Sequence, residues 1–321
     1  MRRHADGRPL IFDLAARVFY LDVAGGSENC VFLAGGGRSG TTWVMEAINA
    51  ERDHRVVFEP LAAHRLRFLS GFHRQHYLRP DDDDPYAAEV MDRVIQGRYR
   101  SWWTDQHNRT VLCRRRLIKS IRANLCLGYI RRRYPEMPMV LLIRHPCAAA
   151  SSMLKLGYGG HPLSQFLDQP ALVEDHLAPY EKMIRTTIDP FERRVVRWCI
   201  QHAVLFSQLR EGDVHLMFYE ELCDEPHKSF AALYAHLGMP FNEPAREAVH
   251  RPSRLTGDHS EILKGAPKVD AWREGVSSEQ VTRAMKILEA FGVGDVYGED
   301  DRPDRRAVEA RLRANGTRHS H

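Results

Sequence analysis

Short apolar runs recur along this chain at intervals that leave room for helices between them. Cys30-Val-Phe-Leu-Ala34, Arg55-Val-Val-Phe58, Thr110–Lys119, Met139-Val-Leu-Leu-Ile143 and Val214–Phe218 read as strands. Met139–Ile143 has no polar alternation at all, as a strand covered on both faces requires. Between the runs the period becomes helical. Trp43, Val44 and Ile48 place a helix over Thr41–Ala50, and Leu125 and Ile130 lie in one that ends at Tyr134, ahead of Pro135 and Pro138. Ala148–Leu154 is another. Asp189-Pro-Phe-Glu192 supplies a cap, a first-turn proline and a carboxylate for a helix that runs to Glu211. Helical segments follow Tyr219, as far as His236, and Ser277, as far as Phe291. Strands alternating with helices in this way predict an α/β fold: a single domain with a parallel β-sheet flanked by helices.

The domain spans 30–298 on this reading, after an N-terminal extension over 1–29 in which Leu10–Val23 suits one short helix or strand. A disordered tail is expected over 299–321, where Asp300-Asp-Arg-Pro-Asp-Arg-Arg306 carries no apolar pattern. The stretches 61–110 and 157–188 show the weakest periodicity and are expected to hold the variable loops, 157–188 as a mobile, partly helical insertion. Pro80–Pro85 reads as a solvated acidic loop.

Composition narrows the function. A net charge of +4 over 321 residues suits small anionic ligands and is too scattered for a nucleic-acid partner. No apolar run approaches the roughly 20 residues of a membrane span, and Met1–Asp6 lacks a signal peptide's apolar core. A cytoplasmic protein without a membrane partner is expected. The six cysteines stand singly and are expected to be reduced; the 17 histidines form no ligand pattern, so no metal is expected.

The chemistry concentrates in Gly35-Gly-Gly-Arg-Ser-Gly40, which joins the first strong strand to the helix from Thr41. A glycine-rich turn at a helix start aims backbone N–H groups and the helix dipole at an anion. Three cofactor readings compete. Gly35-x-Gly37-x-x-Gly40 matches a dinucleotide fingerprint, with Glu59 19 residues further on where a ribose-binding acid would stand. An NAD(P)-dependent oxidoreductase or a non-catalytic nucleotide-binding module follows from that. Gly35-x-x-x-x-Gly40 also begins a Walker A motif, but Thr41 occupies the lysine position.

The third reading uses more residues. Arg38-Ser-Gly-Thr-Thr-Trp43 resembles the 5′-phosphosulfate loop of sulfotransferases that use 3′-phosphoadenosine 5′-phosphosulfate (PAPS). Arg144 after an apolar strand, with Ser152 eight residues on, resembles that family's 3′-phosphate motif. Tyr219-Glu-Glu-Leu-Cys-Asp-Glu-Pro226, Trp272-Arg273 and the helix from Ser278 match further family segments in order. Phe58-Glu-Pro-Leu61 and Ile118-Lys119-x-x-Arg122 are closest to the carbohydrate-type branch. The adenine-side signature is represented only by Lys264-Gly265.

The resemblance implies a P-loop-like phosphosulfate-binding loop and a PAPS-dependent sulfotransferase that acts on a small-molecule or carbohydrate hydroxyl without a metal. Gly37, Arg38, Ser39, Gly40, Thr41, Thr42, Trp43, Arg144, Ser152, Lys264 and Gly265 are the implied cofactor-binding residues. Arg38 would neutralise charge on the leaving phosphate, an anion-stabilising task an arginine performs without Mg²⁺. Glu59 is the favoured general base, held extended before Pro60, with His64, His107 and His161 as rivals. Lys119 and Arg122 are candidates to touch the transferred sulfonate or an acidic acceptor, and Trp272 is read as core.

Overall fold

The apolar runs lie side by side in one sheet. The computed structural model describes residues 16–158, 160–250 and 269–318. Its strands are β1 (Leu21–Asp22), β2 (Cys30–Gly35), β3 (His54–Phe58), β4 (Leu112–Cys113), β5 (Arg115–Ser120), β6 (Met139–Ile143) and β7 (His215–Phe218). Five of them form a parallel sheet in the order β3-β5-β2-β6-β7. Alternate residues of β2 and β6 serve opposite faces. Phe32, Ala34, Met139 and Leu141 enter one core, and Val31, Leu33, Val140 and Leu142 the other. Both faces are therefore buried, which is why these strands read as unbroken apolar runs. The α/β class, the single domain and the parallel sheet all stand as the sequence predicts.

Helices Pro85–Ile95, Leu127–Arg133, Pro146–Lys155, Pro190–Gln208 and Ser278–Ala290 contribute to the first core. Thr41–Ile48, Tyr219–Asp224, Pro226–His236 and Glu243–Val249 contribute to the second. The expected single segment from Tyr219 to His236 is two helices, because Pro226 cannot continue the first and starts the next. The strand expected over Thr110–Lys119 is divided into β4, which pairs with β1, and β5.

The other end of the sheet is fastened by a buried ionic knot. Arg55, fully buried in β3, donates to Asp105 Oδ1 at 2.9 Å and to Asp22 Oδ2 at 3.0 Å. Arg116 donates to Asp22 at 2.7 Å, and the Tyr20 hydroxyl to Asp105 at 2.9 Å. Every charge in the knot has a partner, the condition on which buried charges are tolerated.

Two expectations change. Helix Pro85–Ile95 occupies the unreadable 61–110 stretch, with Asp84 of the acidic run accepting from Tyr86 N–H at 2.9 Å as its cap. The second stretch is partly helical, as its sequence suggests: short helical turns run from Leu163 to Thr186, with Phe166, Leu172, Leu177 and Ile184 in the core. The tail is not disordered over its whole length. Arg305–Arg318 is a helix that buries Val308 and Leu312, and Asn315 Nδ2 donates to Leu209 O at 2.9 Å.

Among the described residues no helix is long and apolar enough to cross a membrane. The six cysteines form no disulfide.

Candidate active site

The chain leaves β2 toward β3 and leaves β6 toward β7, so the connections of these two neighbours part in opposite directions. A crevice opens outside their carboxyl ends, the usual ligand position in an open parallel sheet. The glycine loop follows β2 and Arg144 follows β6, so the topology brings the two sequence motifs to one place.

The loop is built for close approach. Gly40 caps helix Thr41–Ile48 at φ +95°, and a Cβ there would lie 2.7 Å from Tyr219 Cδ2. A Cβ at Gly35 would lie 2.6 Å from Leu142 O. Both positions demand glycine. Ser39 Oγ donates to Gly36 O at 2.7 Å and tightens the turn. Among the described residues, the N–H groups of Gly37, Arg38, Gly40, Thr41 and Thr42 find no acceptor in the protein. They converge where the helix dipole is positive.

Two arginines border this cradle. Arg38 is held at φ +65°, a conformation that costs a non-glycine residue free energy and is found at functional sites. Its Nε donates to Ser152 Oγ at 3.1 Å, and Arg144 Nη1 donates to Arg38 O at 2.9 Å. The Arg144 guanidinium lies over the Tyr219 ring at 4.1 Å, and its Nε is buried without a partner. Among the described residues neither arginine forms an ion pair with a carboxylate. Burial and then Arg144 hold the Arg38 pKa below its ordinary value, as expected for cations gathered without a counter-ion. Glu220 lies behind Arg144, but its oxygens accept from His145 N–H at 2.9 Å and the Tyr297 hydroxyl at 2.8 Å, and burial raises its pKa.

Free N–H donors, two uncompensated arginines and an orphaned guanidinium nitrogen fit a nucleotide with two anionic groups. Gly37, Arg38, Ser39, Gly40, Thr41 and Thr42 follow β2, Arg144 and Ser152 follow β6, and bonds from Arg38 to Ser152 and from Arg144 to Arg38 join the two groups. Ser152 differs in detail: its hydroxyl meets Arg38, not Arg144. Trp43 is the exception. Its indole is buried against Tyr219 and Phe230 and donates to Val249 O at 3.0 Å, so its side chain supports the loop from behind. Tyr219, which supports both Gly40 and Arg144, was not among the expected site residues; its place at the head of the Tyr-Glu-Glu-Leu segment was the available signal. Lys264 and Gly265 lie outside the described residues. Trp272 is core, stacked on His145 with ring centres 4.8 Å apart.

One strand removed from the loop, β3 and β5 pair with Phe58 opposite Lys119. This register puts Glu59 beside Lys119 and Arg122. Glu59 is buried; its Oε1 accepts from Lys119 Nζ at 2.6 Å and its Oε2 from Arg122 Nη1 at 2.5 Å. Ile121 N–H donates to the same carboxylate at 3.2 Å. The backbone of Glu59 is not extended, as its place before proline suggests, but left-handed at φ +46°. The three donors turn the carboxylate inward and hold that conformation. The rival histidines differ. His64 is exposed, and partial burial followed by Arg74, Arg122 and Arg65 lowers its pKa to about 4. His107 lies against Phe58 at 4.4 Å with its pKa lowered to about 4 chiefly by burial. His161 is exposed, with a pKa lowered by partial burial and nearby arginines. Among the described residues no group of His, Cys, Asp or Glu is arranged to hold a metal ion.

The Sulfotransferase family model matches residues 30–243. Among solved structures, the chain is similar to the sulfotransferase domain from the curacin biosynthetic pathway, at 15% identity and a TM-score of 0.46 over 85% of this chain and 99% of that one. It is similar to the sulfotransferase domain from the Synechococcus PCC 7002 olefin synthase, at 14% identity and a TM-score of 0.45 over 85% and 98%. It is also similar to mouse sulfotransferase SULT7A1 complexed with PAP, at 15% identity and a TM-score of 0.45 over 89% and 90%. No curated protein sequence matches.

Proposed function

The chain belongs to the sulfotransferase family, and we propose that it moves the sulfuryl group of PAPS to an acceptor hydroxyl, giving a sulfate ester and adenosine 3′,5′-bisphosphate. The observation that carries this reading is the pair Arg38 and Arg144, joined between the ends of β2 and β6 and, among the described residues, in no ion pair with a carboxylate. A dinucleotide reading needs Glu59 free for a ribose, but Lys119 and Arg122 occupy it.

Bound PAPS supplies an activated sulfuryl group. The protein's own residues have three tasks around it. The N–H groups of Gly37, Arg38, Gly40, Thr41 and Thr42, with the Arg38 side chain, bind the 5′ end and neutralise charge that grows on the leaving phosphate. Arg144, its plane fixed on Tyr219, binds the 3′-phosphate with its free Nε. Ser152 orients Arg38, and its hydroxyl remains able to donate to a phosphate oxygen.

On the acceptor side Glu59 takes the proton of the hydroxyl. Its three donors leave part of the carboxylate's roughly four lone-pair sites for that task. Lys119 and Arg122 fix its orientation and lie ready for the transferred sulfonate. The same contacts favour a second reading, in which Glu59 positions the two cations and His64, neutral at pH 7, accepts the proton. Incubation with sulfur-labelled PAPS and pooled hydroxyl compounds tests the function. A labelled sulfate ester whose formation is lost in Arg38→Ala is expected; label that stays on PAPS with every pool contradicts it. Glu59→Gln and His64→Gln separate the two bases, since only the true base abolishes turnover while bisphosphate still binds.

A further inference from the structure

Beyond the loop lies a second set of cations with almost no acid to balance it. Arg122 comes from just after β5, His64, Arg65 and Arg74 from the stretch after Glu59, His161 from the turn ahead of Leu163, and Arg197 from helix Pro190–Gln208. Their charges act on one another. Arg74 and Arg122 both bear on His64 and His161, and Arg74 bears on Arg197. Among the described residues Arg65, Arg74 and Arg197 pair with no carboxylate, and Arg122 pairs only with Glu59. Arg197 Nη2 donates to His161 O at 2.7 Å, which ties the two together, while its Nε is buried with no acceptor.

This set is distinct from the cofactor's arginines. Arg38 and Arg144 follow β2 and β6, whereas Arg65 and Arg74 follow β3 and Arg197 lies in helix Pro190–Gln208. Its position is on the acceptor side. A Cβ at Gly37 would lie 3.8 Å from Ile121 Cδ1, so the residue beside Arg122 borders the loop tip, and Arg122 itself holds Glu59. Like charges gathered without partners repel, and burial of Arg197, followed by Arg194, Arg193 and Arg74, brings its pKa down to about 10. An anion placed among them would relieve that repulsion and meet the free Arg197 nitrogen.

Resting on the sulfotransferase reading, we propose that the acceptor is itself anionic: a hydroxyl compound that carries a carboxylate, phosphate or sulfate group, which Arg74, Arg122 and Arg197 bind while the hydroxyl faces Glu59. The reaction is unchanged in its balance. The hydroxyl oxygen bonds to sulfur, the sulfur–oxygen bond to the bisphosphate breaks, and the hydroxyl proton passes to the protein. The anion serves only to bind and orient.

The test uses the full chain saturated with adenosine 3′,5′-bisphosphate, so that the cofactor's own anion sites are filled. Calorimetry at low ionic strength compares 4-methylbenzyl alcohol with the benzyl alcohols carrying a 4-carboxylate, a 4-phosphate or a 4-sulfate. At least one anionic probe is expected to bind about tenfold or more tightly than the neutral one, the arms identifying which oxyanion. Arg74→Gln should erase that advantage and Arg74→Lys should restore most of it, with the melting temperature reporting that both fold. No preference for any anionic probe, or a preference that survives Arg74→Gln, overturns the proposal. Failure of the bisphosphate itself to bind is a different result, and it removes the sulfotransferase reading first.

Discussion

Arg38 Nε donates to Ser152 Oγ at 3.1 Å, and this bond ties the glycine loop after β2 to the helix after β6. The two residues come from separate motifs, 114 positions apart. If they act as one unit, their substitutions will not add. Arg38→Ala is expected to lower kcat by about 10²–10³-fold, the usual loss of one anion-stabilising donor. Ser152→Ala should lower it less, and the double variant should lose less than the sum, with a coupling of about 0.5–3 kcal/mol. Steady-state kinetics of the four proteins measures this; strict additivity contradicts the shared role.

Arg144 is expected to govern affinity more than rate. Among the described residues its buried Nε has no hydrogen-bond partner, and it is the nitrogen proposed to hold the 3′-phosphate. Hydrogen bonds to charged groups contribute about 1.5–3 kcal/mol, so Arg144→Ala should weaken adenosine 3′,5′-bisphosphate by about 10–100-fold. Adenosine 5′-phosphate, which lacks the 3′ group, should lose little. Calorimetric titration of both nucleotides distinguishes the clamp from a general loss of positive charge.

Glu59→Gln should reduce turnover and leave bisphosphate affinity nearly unchanged, because the carboxylate follows β3 and meets Lys119 and Arg122 and not Arg38 or Arg144. Glu59→Ala should be worse for stability as well, since it leaves Lys119 buried without its partner. Chemical denaturation alongside turnover separates the two effects. Full turnover in Glu59→Gln removes it as the base.

The ionic knot at the opposite end of the sheet predicts a purely structural effect. Asp105→Ala leaves the fully buried Arg55 short of a partner and should cost about 3–5 kcal/mol. A urea midpoint close to that of the unaltered protein would contradict the role given to Arg55.

Buried histidines set the acid side of the stability profile. Burial holds His145 and His202 near a pKa of about 4, below the ordinary 6.5. Between those values the unfolded chain binds more protons than the folded one. Stability should therefore rise as pH increases from about 4 to 6.5, by at most about 1.4 kcal/mol per pH unit for each such histidine. Urea midpoints across that range should show the slope, and His202→Gln should reduce it.

Elements with a local signature could be read directly from the sequence. The glycine loop, the run Met139–Ile143 and the Asp189-Pro190 helix start each carry a pattern within a few residues, and each forms where it was expected. Helix Arg305–Arg318 could not be read, because only Val308 and Leu312 are buried on an otherwise charged segment. Glu59 was found as a residue but not as a conformation. Its inward turn depends on the β3–β5 register that sets Phe58 opposite Lys119, a contact between segments 60 residues apart. Trp43 differs in the reverse sense: it follows the glycine loop directly in sequence, but helical geometry turns its ring toward Tyr219 and Phe230.

The most direct measurement is calorimetric titration of the protein with adenosine 3′,5′-bisphosphate and, separately, with NADPH. A loop and clamp built for PAPS should bind the bisphosphate at one site per chain, lose that affinity in Arg144→Ala, and take up no NADPH. Saturable NADPH binding with no heat from the bisphosphate would contradict the assignment of Arg38 and Arg144, and the sulfotransferase function with it.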